Sequence, residues 1–202
     1  MEPFPLFPIP LHISEVYVPT PAELAILKSQ AWRPNLAGGN KTSQNSHILD
    51  LPELKALRAF LQAQIDLYAH DLLCIKRTIA FCITQSWVNI NEKGTGHHAH
   101  LHQNSLISGV YFIAGDNAPI HFMRPPTHQL FGNIVLETDK INSLNALDCA
   151  FPNQTHKAML FPSTTLHFVK PNQSTTPRMS LSFNTFVRGT AGSIQDLTEL
   201  KL

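Results

Sequence analysis

From Arg77 to Val187 the chain is a succession of short runs rich in Ile, Val, Phe and Thr, broken by Gly, Pro, Asn and Asp. Turn residues at that spacing mark the strands of a β-sandwich or barrel. Strands are expected near 77–91, 105–114, 118–123, 133–138, 157–161, 166–169 and 178–187. Two helices come first. Thr20-Pro21-Ala-Glu23 offers an N-cap threonine, a proline at the first helical position and a glutamate three residues on, which predicts a helix running to about Trp32. Asp50-Leu-Pro-Glu53 opens a longer one, in which Leu54, Leu57, Leu61, Ile65, Tyr68 and Leu72 recur every three or four residues. That stripe should lie against a sheet. Leu11 to Val18 has strand character with a proline-rich lead-in suited to a sheet edge, and residues 34–48 are a loop rich in Gly, Asn and Ser. Helices first and strands later predict a mainly β fold, a β-roll buttressed by two N-terminal helices.

A length of 202 residues suits one domain spanning 1–202. The formal net charge is +1, so no broad basic face is available to neutralise phosphates, and no nucleic-acid partner is expected. Apolar runs such as Leu106 to Ala114 fall short of the roughly 20 residues a bilayer span needs, so no membrane partner is expected. The first residues carry an acid and prolines where a secretory signal needs positive charge and an unbroken apolar stretch, which points to the cytoplasm. Cys74, Cys82 and Cys149 lack any C-x-x-C spacing and read as idle thiols. The tail after Arg188 should dock loosely or pair with a neighbour, which leaves a homodimer open.

The chemistry concentrates in Gly94-Thr-Gly-His97-His98-Ala-His100-Leu-His102, which sets four of the eleven histidines within six positions. In an extended segment alternate side chains share a face, so His98, His100 and His102 are expected to point one way and His97 the other. Neutral imidazole suits Fe, Zn, Cu or Ni, and His167, after the turn Phe161-Pro162-Ser163, is the candidate third ligand from a distant strand. Eleven residues later, Arg178-Met-Ser180-Leu-Ser-Phe-Asn184 alternates polar with apolar. Arg178 and Ser180 should share one face, with Met179, Leu181 and Phe183 packing on the other. A guanidinium fork facing a pocket grips a carboxylate through two hydrogen bonds, and the Ser180 hydroxyl can add a third.

These residues resemble the 2-oxoglutarate/Fe(II)-dependent oxygenase family found in bacteria and phages. The resemblance is carried by His100-x-His102 ahead of Ser-x-x-Ser-Gly-Val-Tyr-Phe, by Leu160-Phe-Pro-Ser-x-x-x-His167, and by Arg178-x-Ser180-x-Ser-Phe-Asn. Phe4-Pro-Leu-Phe-Pro8 and Ser86-Trp-Val-Asn89 extend it over nearly the whole chain. It implies a double-stranded β-helix, or cupin-like jelly roll, working as a dioxygenase that hydroxylates a small-molecule or peptide substrate. It implies Fe(II) held by His100, His102 and His167 as the catalytic centre, with 2-oxoglutarate as cosubstrate bound by Arg178 and Ser180, and with Asn89 and Tyr111 as supporting residues. One departure stands out: the superfamily pattern is His-x-Asp or His-x-Glu, and this chain has His100-x-His102 with no acid nearby. The site is therefore either a three-histidine centre or one completed by water or Asn104, and the first pair could instead be His98 and His100. The same residues also resemble the two cupin metal motifs, with Leu106 or Ile107 at the cupin glutamate position, so the alternative is a cupin-type metal protein or ligand-binding module that does without 2-oxoglutarate. Arg178 and Ser180 discriminate, because the cupin has no need of them.

Overall fold

The computed structural model describes residues 6–115, 118–128, 130–131, 134 and 136–202. In chain order the elements are β1 (His12–Ile13), α1 (Pro21–Lys28), β2 (Trp32–Pro34), β3 (Lys41–Ser43), α2 (Lys55–Asp66), β4 (Ala80–Asn91), β5 (His97–His100), β6 (Ile107–Ala114), β7 (Ile120–Met123), β8 (Asp148–Phe151), β9 (Ala158–Pro162), β10 (His167–Val169) and β11 (Arg178–Arg188), before a short terminal pair. Seven strands form one sheet in the order β1-β9-β6-β11-β4-β3-β2, and four form a second in the order β5-β10-β7-β8. From β4 to β11 the chain passes back and forth between the sheets, with only β7 and β8 staying together. This is the expected double-stranded β-helix with helices on one outer face.

Strand β11 sets the layering, because it pairs antiparallel with β4 on one side and β6 on the other. Its Met179, Leu181 and Phe183 are buried in the main core with Leu57, Leu61 and Ile65 of α2. Its Arg178, Ser180 and Ser182 face the smaller sheet, as period-2 alternation requires. A second apolar cluster, including Val110, Phe112, Ile120, Phe122 and Phe161, fills the space between the sheets.

Helix α1 starts as expected. The Glu23 amide donates to Thr20 Oγ1 at 3.2 Å and Glu23 Oε2 accepts from the Thr20 amide at 2.8 Å. It ends at Lys28, short of Trp32, because Trp32–Pro34 pairs with Lys41–Ser43 inside the segment read as a loop. Proline at 34 bars the helical conformation for Arg33, so an extended hairpin wins. Along α2 and the turns that flank it, Leu54, Leu57, Leu61, Ile65 and Tyr68 are all fully buried, but Leu72 is 48% exposed. Residues Leu67–Leu72 are π-helical, with the Leu73 amide bonded to Tyr68 O, and the wider turn rotates Leu72 out of the stripe.

The opening strand shrinks to His12–Ile13 at the sheet edge. Of the expected strand 133–138, Asn133 and Val135 lie outside the described residues, and 134 and 136–138 form no strand. Instead Asp148–Phe151, weak in intrinsic strand preference, is extended because it pairs with β7. The tail pairs with itself, Thr190–Ala191 against Leu200–Lys201. The three cysteines are free thiols. Among the described residues no helix is long and apolar enough to cross a membrane.

Gly109 sits opposite Phe183 in the β6–β11 register, and a Cβ there would stand 2.1 Å from the Phe183 ring. Phe183 is fully buried and cannot retreat. Gly109→Ala should therefore destabilise the fold by about 1–3 kcal/mol in urea unfolding, the usual cost of overpacking, and less when Phe183 has first been shortened to Leu.

Candidate metal and carboxylate site

Strand β10 lies between β5 and β7, with His167 opposite His100 on one side and Phe122 on the other. The turn ahead of it closes when the Thr165 amide bonds Pro162 O at 2.9 Å. His102 lies beyond the end of β5 and is placed by its amide bonding Ser163 O at 3.0 Å. The Ser163 hydroxyl is in turn held 2.7 Å from both Ser105 Oγ and Ser108 Oγ. Two chain segments distant in sequence are thus tied together beside the cavity.

The potential ligand atoms of His100, His102 and His167 all lie within 4.8 Å of one another. His102 Nε2 and His167 Nε2 are 3.3 Å apart. Nitrogens on one face of a first-row metal, each about 2.1 Å from it, stand about 3 Å from one another, so that pair already has a ligand spacing. His100 Nδ1 lies 2.8 Å from His98 O and His167 Nδ1 lies 2.9 Å from Thr165 O. A carbonyl can only accept, so in both rings Nδ1 carries the proton and Nε2 keeps its lone pair, the arrangement seen in metal-ligating histidines. Burial lowers the pKa of all three and, with the neighbouring His100 adding to it, brings His102 to about 4 and His167 to about 3. They are neutral at pH 7. These residues fit a divalent transition metal. No carboxylate joins the group among the described residues, so the set is all imidazole. Asn104 is exposed and does not line the cavity.

The same cavity is lined by Arg178, Ser180 and Asn89. Arg178 is only 3% exposed. Its Nε donates to Ala118 O at 3.1 Å, its Nη1 donates to Ser180 Oγ at 3.2 Å and to Asn91 Oδ1 at 3.4 Å, and its guanidinium lies 5.5 Å above the Phe112 ring centroid. Burial lowers its pKa to about 10, which still leaves it cationic at neutral pH. It has no ion-pair partner among the described residues. Asn89 is oriented from both ends: Oδ1 accepts from Thr42 Oγ1 at 3.0 Å and Nδ2 donates to Ser182 Oγ at 3.1 Å.

Tyr111 does not belong here. It is fully buried on the opposite face of β6, in the core beneath the helices, and its hydroxyl donates to Tyr17 O at 2.6 Å. The reason is strand parity: Val110 and Phe112 face the other sheet, so Tyr111 cannot. The expected phase of the histidine run also fails. His97 lines the cavity and His98 is exposed, because the β5–β10 register slips between His100 and His97. Three steps on one strand match two on the other, and such an irregularity turns the earlier residues over. Trp87, Asn91 and Ser182 also line the cavity. Their period-2 spacing from Asn89 and Ser180 was a usable signal. Trp87 stacks on His102 with ring centroids 5.7 Å apart.

Residues 85–184 match the family model described as "Putative 2OG-Fe(II) oxygenase". No curated protein matches the chain in sequence. Among solved structures the chain resembles a 2OG-Fe(II) oxygenase-family oxidoreductase from Burkholderia pseudomallei at 14% identity and TM-score 0.59, over 87% of this chain and 84% of that one. A Pseudomonas putida prolyl-4-hydroxylase is similar at 13% identity and TM-score 0.55, over 90% of this chain and 94% of the other. HygX from Streptomyces hygroscopicus, solved with nickel, 2-oxoglutarate and hygromycin B, is similar at 8% identity and TM-score 0.59, over 88% and 82%. These structures share its fold, and with the sequence match over the strands that build the cavity, the chain belongs to the 2OG-Fe(II) oxygenase family.

Proposed function

We propose that this chain is an Fe(II)- and 2-oxoglutarate-dependent hydroxylase, with His100, His102 and His167 as metal ligands and with Arg178 and Ser180 receiving the far carboxylate of the cosubstrate. The observation that carries the reading is Arg178. A guanidinium this buried, in a cavity shared with three converging imidazoles and without an acidic partner among the described residues, is costly unless an anion meets it. A dicarboxylate that reaches from the metal position to the fork satisfies both ends. A cupin that does without 2-oxoglutarate has no use for that cation.

Fe(II) and 2-oxoglutarate, when bound, supply oxidative decarboxylation to succinate and CO2 coupled to transfer of one oxygen atom to substrate. The protein's own part is placement. The carbonyls of His98 and Thr165 hold two rings with their lone pairs inward. Ser180 and Asn91 accept from the Arg178 fork and limit its swing. Phe112 and Phe161 keep the space between the sheets apolar, which strengthens every charge interaction there. With three neutral ligands the ion keeps its full charge, a setting that favours an anionic cosubstrate. Structures of the same fold include a prolyl-4-hydroxylase and HygX with hygromycin B bound, so the substrate class we propose is a small molecule or a peptide.

Anaerobic addition of Fe(II) and then 2-oxoglutarate should produce a visible charge-transfer band, and aerobic incubation should yield succinate. His167→Ala should abolish metal binding. Arg178→Ala should keep the metal but weaken 2-oxoglutarate about 30-fold or more, the cost of removing one partner of a buried charge pair. If both variants retain full succinate formation, the assignment is wrong.

The lowered imidazole pKa values also predict a pH dependence. In the unfolded chain these rings titrate near 6.5, whereas His102 and His167 titrate near 4 and 3 in the folded protein. Between those values the unfolded state binds more protons, so the metal-free protein should lose stability as pH falls from 6.5 towards 4. Thermal melts across that window should show the decline, and it should be shallower in His102→Gln/His167→Gln.

A further inference from the structure

Resting on the three-histidine assignment just proposed, we infer that Asn35 is a positioning residue that ties back His97, so that a fourth imidazole stays off the metal and a coordination position remains open for cosubstrate or O2. His97 lines the same cavity, and its ring centroid lies 4.3 Å from that of His100, as close as His167 comes to His100. Yet its nitrogens are not in the converging group. Both are engaged by the protein. Nδ1 lies 3.3 Å from His98 O, which can only accept, so Nδ1 carries the proton. Nε2, left with the lone pair that a metal would want, lies 3.1 Å from Asn35 Nδ2. The amide orientation is fixed independently, since Asn35 Oδ1 accepts from the Ala37 amide at 3.3 Å and the NH2 end must therefore face the ring.

Asn35 is held there by a close approach of backbones. It opens the connection between β2 and β3, which crosses from the larger sheet to the edge of the smaller one, where Gly39 bridges to Gly96. A Cβ on Gly38 would stand 3.1 Å from His97 Cα and 3.2 Å from Gly96 O, and a Cβ on Gly96 would stand 2.6 Å from Val169 O. Glycine at 38 lets the connection press against the histidine strand, and glycine at 96 lets that strand press against the end of β10. The chain needs such a restraint because its histidines are crowded. Three imidazoles on one face leave three positions for a bidentate cosubstrate and O2, and a fourth imidazole would take one of them.

Co(II) serves as the probe, followed by its visible absorption in the full chain without oxygen. Wild type should bind one equivalent and change spectrum on adding 2-oxoglutarate. Asn35→Ala should bind Co(II) about tenfold more tightly, an effect in the usual range for residues that orient metal ligands, and should lose most of the response to 2-oxoglutarate. His97→Phe should behave as wild type, and Asn35→Ala/His97→Phe should recover both wild-type affinity and the spectral response. Unchanged behaviour of Asn35→Ala, or a double variant as impaired as the single one, overturns the tether while leaving the metal assignment standing. Failure of wild type to bind Co(II) overturns both.

Discussion

Strand β10 is three residues long, and the site exists only because it is gripped on both edges. Pairing with β5 puts His167 beside His100, and pairing with β7 seats the same residue against Phe122. Neither neighbour is close in sequence, so the strand is extended through its partners and not through its own preference. The turn ahead of it does double duty. Its Ser163 carbonyl fixes the His102 backbone, and its Thr165 carbonyl fixes the His167 tautomer. Loss of that short segment would part His167 from His100 and His102.

The electrostatics follow from the same burial. Desolvation drives the imidazoles towards neutrality, which readies them as ligands, and it leaves Arg178 as an unneutralised cation facing the shared space. A guanidinium keeps its proton where an ammonium would more readily surrender it, so the charge survives at neutral pH. The cavity is thus neutral where a metal would sit and positive where a carboxylate would arrive. A polar strand face on β11 and an apolar one behind it produce both the pocket wall and the core from a single run of sequence.

Much of this was legible beforehand. The capping box of α1, the buried stripe from Leu54 to Tyr68, and the two faces of Arg178–Asn184 are local patterns whose period is a property of the backbone, and all three are present. His100, His102, His167, Arg178, Ser180 and Asn89 border one cavity as the motifs implied. The misreadings have a common cause. Trp32 left the helix for a hairpin partner, Asp148–Phe151 became a strand by pairing with β7, and Tyr111 turned into the core because its neighbours claim the other face. In each case a contact distant in sequence outweighed a local preference.

The histidine run shows the boundary most clearly. Residue order alone determined that a dense group of imidazoles precedes a buried strand, and that a serine-bordered arginine alternates with apolar residues near the end of the chain. Which imidazoles converge was decided by tertiary structure. The irregular register between β5 and β10 turned His97 inward, and the β2–β3 connection brought Asn35 to its lone pair. Alternation is set by the geometry of one strand, but phase is set by the partner strand, and the partner is chosen only when the whole roll closes.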